Sequence, residues 1–245
     1  PFSPSLVVIS LWESFLVFCL FNGGIPPLNL EAFFFRVALL FCIYPKGVLY
    51  MKTILEKWQI SAEEFTKIVD ENPSLRGFVF GYVSEYKARK YFDGHENITN
   101  LMKYDDHDRT SKGDISFHYK GKEFRIEAKS LQTKSVVKVG SDEWKGVFQC
   151  DASDCREIQL PNGHKVNTTC LVVGEFDIVA VSLYAFGDQW RFAFAKNSDL
   201  PRIGNRSRKV VEEDRKYLIK TSINITWPLQ APFTTDVYSL LDDMI

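Results

Sequence analysis

The chain has 245 residues, 45% hydrophobic and 25% charged, which describes a globular protein of one domain or one and a half. A formal net charge of −1 excludes a general electrostatic pull toward nucleic acid, so any grip on a polyanion must come from local basic clusters. Five cysteines, an odd number at irregular spacing, do not make a disulfide framework and read as reduced thiols of a cytoplasmic protein.

Residues 1–50 differ from the rest. Leu6 to Phe21 is an apolar run broken by Glu13, shorter than the roughly 20 residues a spanning helix needs. Phe33 to Tyr44 is shorter still and contains Arg36, and no positive residue precedes the first run as a signal peptide requires. Met51 then opens MKTILEKWQISAEEF, which reads like an ordinary N-terminus. The preferred account of residues 1–50 is upstream sequence translated ahead of the true start. A membrane hairpin is the rival, and a native but poorly ordered extension the third. The fold is therefore read from residue 51 to 245, with no membrane partner expected.

Ser61-Ala-Glu-Glu64 has the pattern of a capping box and predicts a helix to about Glu71. Asn72-Pro73-Ser74 opens a second helix, to about Phe92, with proline just inside its start. Leu75, Val79, Tyr82 and Tyr86 form one stripe of that helix. Gly77, Gly81, Ser84 and Ala88 form an adjoining strip of small residues on which a sheet can approach closely. Glu85 lies beside the strip; read alone, it is an exposed helical glutamate paired with Arg89 at i+4. After Asp93-Gly94, the polar segment contains Asp105-Asp106-His107-Asp108, a solvated acidic run without the spacing of a known metal-binding loop.

Gly113 to Ser130, GDISFHYKGKEFRIEAKS, predicts a β-hairpin. With Gly121-Lys122 as a two-residue type II′ loop, Lys120 pairs with Glu123, His118 with Arg125, Ser116 with Glu127 and Asp114 with Lys129. One face then carries Asp114, Ser116, His118, Glu123, Arg125, Glu127 and Lys129. The other carries Ile115, Phe117, Tyr119, Phe124, Ile126 and Ala128. The first face is either a solvated surface with cross-strand ion pairs or a site. Asp114 and Glu127 can supply hard oxygen ligands to Mg²⁺, and Lys129 can hold an attacking water or the charge of a pentavalent phosphate.

Asp114 followed by Glu127-Ala128-Lys129 at the end of the next strand resembles the PD-(D/E)XK nuclease superfamily, in particular its type II restriction endonucleases. The resemblance covers roughly residues 75 to 195. Gly113-Asp114 stands where the family's first motif has Pro-Asp. The likeness implies a restriction-endonuclease-like α/β fold, a mixed β-sheet flanked by helices with a catalytic hairpin. It also implies that Glu85, on the helix before the hairpin, completes the metal or water shell. The cofactor it implies is Mg²⁺, with Mn²⁺ able to replace it. The substrate is double-stranded DNA, and the acting species is a homodimer that cuts both strands.

Beyond the hairpin, Lys134, Lys138 and Lys145 lie in a basic loop suited to phosphates. Trp144 to Glu157 predicts a helix, on which the resemblance implies Gln149 as an accessory polar residue facing the site. Cys150, Cys155, His164 and Cys170 lack the paired C-x₂-C spacing of a zinc knuckle and read as ordinary thiols with a histidine. Thr169–Val173, Phe176–Phe186 and Trp190–Ala195 predict strands that complete the sheet behind the hairpin. Arg202, Arg206, Arg208 and Lys209 form the densest basic patch, either a DNA-gripping loop or a mobile surface loop. A helix over Val210–Leu218 and a strand over Ile223–Trp227 end the domain. The expected activity is Mg²⁺-dependent DNA hydrolysis by Asp114, Glu127, Lys129 and Glu85. A non-specific, repair or mobile-element nuclease and an inactive nucleic-acid-binding module remain alternatives.

Overall fold

The computed structural model describes residues 51–104, 113–204 and 210–245. The apolar segment 1–50, the acidic run at Asp105–Asp108, and Arg206 and Arg208 lie outside the described residues.

The chain divides into two units after Phe65. In the first, α1 (Ile54–Trp58) is opened by a reciprocal capping box between Thr53 and Glu56. Ser61 and Glu64 form the second box that the sequence predicts: Glu64 N–H donates to Ser61 Oγ at 3.1 Å and Ser61 N–H to Glu64 Oε2 at 2.7 Å. The helix it opens, α2 (Ala62–Glu71), buries none of its side chains.

The second unit is built on a five-stranded mixed sheet. Its strands are β1 (Ile98–Lys103), β2 (Ile115–Tyr119), β3 (Lys122–Ser130), β8 (Ile178–Ser182) and β9 (Phe192–Lys196), side by side in that order. All neighbours are antiparallel except β3 and β8, which run parallel with Glu127 beside Val179 and Lys129 beside Val181. Parallel neighbours require a long crossover, usually a helix. Here the crossover is made of strands: β4 (Val137–Lys138), β5 (Trp144–Gln149), β6 (Asp151–Gln159) and β7 (Lys165–Cys170).

This overturns the helix expected over Trp144–Glu157. Burial there has the period of a strand, with Gly146 and Phe148 inside and Lys145 and Gln149 outside. β5 pairs along its whole length with β10 (Ser222–Trp227), the C-terminal strand expected from the sequence. The expected strand over Thr169–Val173 also lies elsewhere. β7 pairs only with β6, in a separate two-stranded sheet, and β8 takes the central position beside β3. In place of a helix over Val210–Leu218 there is a 3₁₀ stretch, Glu212–Tyr217. Within it, buried Asp214 accepts from Asn162 Nδ2 at 2.6 Å and lies 3.0 Å from His164 Nδ1, which ties the stretch to the β6–β7 turn.

Each face of the five-stranded sheet has its own core. On one, Ile115, Phe117, Phe124, Ile126, Ile178, Ala180 and Phe194 pack with Ala88 and Phe92 of α3 (Pro73–Phe92) and with Val237 and Leu241 of α4 (Val237–Asp242). On the other, Val179, Val181, Ala193 and Ala195 meet Leu131, Phe148, Cys150, Ile223 and Ile225 from the crossover and β10. Among the described residues, helices cover one face of the mixed sheet, and the crossover strands with β10 cover the other. Along α3 the small strip is the buried one, at Ser84 and Ala88, while Leu75, Tyr82 and Tyr86 of the aromatic stripe stay exposed.

Ser84 Oγ is buried and has no hydrogen-bond partner among the described residues. A desolvated, unpaired hydroxyl costs stability, and alanine is the better helix former. Ser84→Ala is expected to raise the free energy of unfolding by about 1 kcal/mol in urea titration. A fall would mean that the hydroxyl has a partner in solution.

Candidate active site

The hairpin turns at Lys120-Gly121, one residue earlier than the sequence suggests. Both residues have positive φ, 49° and 87°, the signature of a type I′ turn rather than type II′. That loop matches the right-handed twist of the strands, and Lys120 is held in it by a 2.6 Å bond from Nζ to Asp242. The register moves by two: His118 faces Glu123 and Ser116 faces Arg125. A shift of two leaves every side chain on its expected face, so the division into apolar and polar faces holds.

Its consequence for the site is large. Asp114 no longer faces Lys129 but lies beside Ile126 to Ala128: its N–H donates to Ile126 O at 2.9 Å, and its Oδ2 accepts the Ala128 N–H at 2.7 Å. Gly113 makes this approach possible with φ of +80°, which proline, fixed near −65°, cannot adopt. A Cβ there would also meet Ile126 O at 3.1 Å. A glycine rather than a proline before Asp114 thus has a backbone reason in this chain.

Glu127 is 9% exposed, and Lys129 Nζ lies 2.7 Å from its Oε1. Burial and the Glu127 carboxylate push the Asp114 carboxyl up to about 7, against the pull of Lys129 and the Ala128 N–H; Glu85 adds to the rise. Burial works against the Lys129 ammonium, but Glu127 and Asp114 more than offset it and hold it above the usual lysine range. Glu85, on α3, is close enough to act on Asp114 and has Lys103 Nζ 3.5 Å from its Oε1. Helix α3, the start of β2 and the end of β3 thus bring Glu85, Asp114, Glu127 and Lys129 together.

Gln149 stands on strand β5, not on a helix. Its Oε1 accepts from Gln132 Nε2 at 2.8 Å, and its Nε2 donates to Asp151 Oδ2 at 2.7 Å. The main-chain oxygen of Asp151 in turn accepts from Lys129 Nζ at 3.2 Å. Sequence reasoning missed this contact, because it needs the strand corner at Cys150 that the expected helix removes. Cys150 itself is fully buried, and burial pushes its thiol up to about 12, which keeps it neutral under the site.

The basic residues separate. Lys134, in the 3₁₀ turn Thr133–Ser135, and Lys138, on β4, are exposed on the segment that leaves β3; Lys138 Nζ sits 5.4 Å over the Trp144 ring. Arg202 is engaged elsewhere: its guanidinium donates to the carbonyls of Lys216 at 3.1 Å, Ser198 at 2.7 Å and Leu200. Among the described residues, none of Cys150, Cys155 and Cys170 joins a metal-ligating group. His164, Glu213 and Asp214 do lie within 4.8 Å of one another, but Asn162 and His164 already account for the buried Asp214 carboxylate. No helix among the described residues is long and apolar enough to cross a membrane.

Two neighbouring buried carboxylates, Asp114 and Glu127, are residues that could hold a divalent ion such as Mg²⁺. Asp114 and Glu127 would hold it, with Glu85 acting on Asp114 from α3.

No protein-family model matches the chain, and no curated protein matches it. Among solved structures, a bacterial homing endonuclease, I-Ssp6803I, is similar at 16% identity and a TM-score of 0.32, over 56% of this chain and 85% of that one. A likeness of this size leaves fold and function to rest on the chain's own residues.

The raised Asp114 carboxyl has a stability consequence. The unfolded chain releases this proton near 3.8 and the folded chain near 7, so the folded state binds more protons between them. Stability of the metal-free protein from this group therefore falls as pH rises from about 4 to 7. Asp114→Asn is expected to raise the thermal midpoint of metal-free protein at pH 8, by about 1–3 kcal/mol in stability, and to leave it unchanged near pH 4. Equal midpoints at both pH values would contradict the buried, crowded carboxyl.

Proposed function

We propose that this chain is a Mg²⁺-dependent endonuclease of the PD-(D/E)XK kind, hydrolysing DNA phosphodiester bonds in the manner of a type II restriction enzyme. One observation carries the reading: Asp114 and Glu127 are held side by side with the Lys129 ammonium 2.7 Å from Glu127. Buried like charges are costly, and such an arrangement persists where a site needs it.

When bound, Mg²⁺ (or Mn²⁺ in its place) polarises the phosphate, eases deprotonation of the attacking water and neutralises the leaving oxygen. The protein's part is positional. Asp114 and Glu127 would hold the cation beside the scissile phosphate. Lys129 donates to the attacking water or to a phosphate oxygen and offsets the charge that grows on phosphorus. The water's oxygen bonds to phosphorus as the phosphate–sugar ester bond breaks; the water's proton leaves to solvent or to a phosphate oxygen, and the departing sugar oxygen takes a proton from solvent. Glu85 would help order water beside Asp114, and Lys134 and Lys138 would grip the backbone leading to the site. A second copy of the chain would supply the second cut of a duplex.

Incubation of the full chain with supercoiled plasmid is expected to give cleavage with Mg²⁺ and none with EDTA. Glu127→Gln should abolish it, and Lys129→Ala should slow it about 100-fold or more. Discrete fragments support a restriction-type enzyme, and a smear supports a non-specific nuclease. Folded protein that binds DNA but never cuts it would replace this reading with a binding module.

A further inference from the structure

We propose that Asp151, held in place by Gln149 and Gln132, is a positioning residue that aims the Lys129 ammonium; this rests on the nuclease reading above. A lysine ammonium has three N–H donors on a flexible stem, so its use as a catalytic cation depends on what fixes it. Here Glu127 Oε1 takes one donor at 2.7 Å and the Asp151 carbonyl another at 3.2 Å, which leaves one N–H for water or phosphate.

The Asp151 carbonyl is itself tied on both sides. Cys150, immediately before it, is fully buried and its N–H donates to Thr221 O at 2.7 Å. The Asp151 side chain accepts from Gln149 Nε2 at 2.7 Å, and Gln149 Oε1 accepts from Gln132 Nε2 at 2.8 Å. Gln132, three residues past Lys129, is fixed by its own N–H to Val147 O at 2.9 Å. The bonds form a closed ring: Lys129 to Asp151, to Gln149, to Gln132, and back along the chain to Lys129. Because Gln149 must present its oxygen to Gln132 and its nitrogen to Asp151, only one orientation of that amide completes it. Gln132, just before the 3₁₀ turn, and Gln149, on β5, thus link in series to the residue whose carbonyl meets the ammonium.

The variants separate positioning from chemistry, because the bond to Lys129 comes from main chain. Gln149→Leu and Asp151→Ala are each expected to lower the single-turnover cleavage rate roughly 10- to 100-fold with DNA affinity unchanged. The double variant should be no worse than either, since one ring is broken once. Asp151→Asn keeps the carbonyl and an acceptor for Gln149, and should restore the rate to within about 2-fold. The NMR order parameter of the Lys129 ammonium in metal-free protein gives a readout without cleavage. It should fall in Gln149→Leu and hold in Asp151→Asn.

An unchanged rate or an unchanged order parameter in folded Gln149→Leu overturns the proposal. So does Asp151→Asn as damaging as Lys129→Ala, which would make the carboxylate itself catalytic. If wild type cuts no DNA while the order parameters behave as stated, the nuclease reading falls and the positioning of Lys129 stands.

Discussion

The structure depends on holding two carboxylates next to each other where little water can screen them. Asp114 and Glu127 repel, and their surroundings disfavour a second negative charge. Three things keep them there. The Ala128 N–H binds Asp114 directly, Lys129 pairs with Glu127, and the strands behind them are fixed by two cores. The amide can point at Asp114 only because Gly113 turns the chain with positive φ.

The layering explains why the site sits where it does. β3 is central, parallel to β8 and antiparallel to β2, so its backbone is paired on both sides and its side chains cannot drift. Its apolar residues face α3 and α4, while the face with Glu127 and Lys129 lies under the strand crossover. The corner between β5 and β6 then brings Cys150 beneath the site and Asp151 onto Lys129. A helix in that crossover would present side chains there; a strand corner presents a main-chain carbonyl, which no side-chain substitution removes.

What could be read from residues alone follows from this geometry. The faces of the hairpin were legible because strand side chains alternate with period two, and the misplaced turn moved the register by two, which preserves parity. Capping at Ser61 and Glu64 was legible because both partners lie within one turn. The stretch Trp144–Glu157 was not. Its apolar and polar residues fit either period over a short span, and what decides for a strand is pairing with β10, some 80 residues away. The contacts of Arg202 were hidden for the same reason: its bonds to the carbonyls of Ser198, Leu200 and Lys216 come from the fold, not from the local sequence.

The central claim is that Asp114 and Glu127 share one divalent cation. Anomalous diffraction from crystals soaked in Mn²⁺ measures this directly. The account predicts one strong peak about 2.1 Å from an oxygen of each carboxylate, absent from crystals of Asp114→Asn. Density at His164 and Asp214 with none between Asp114 and Glu127 would contradict it.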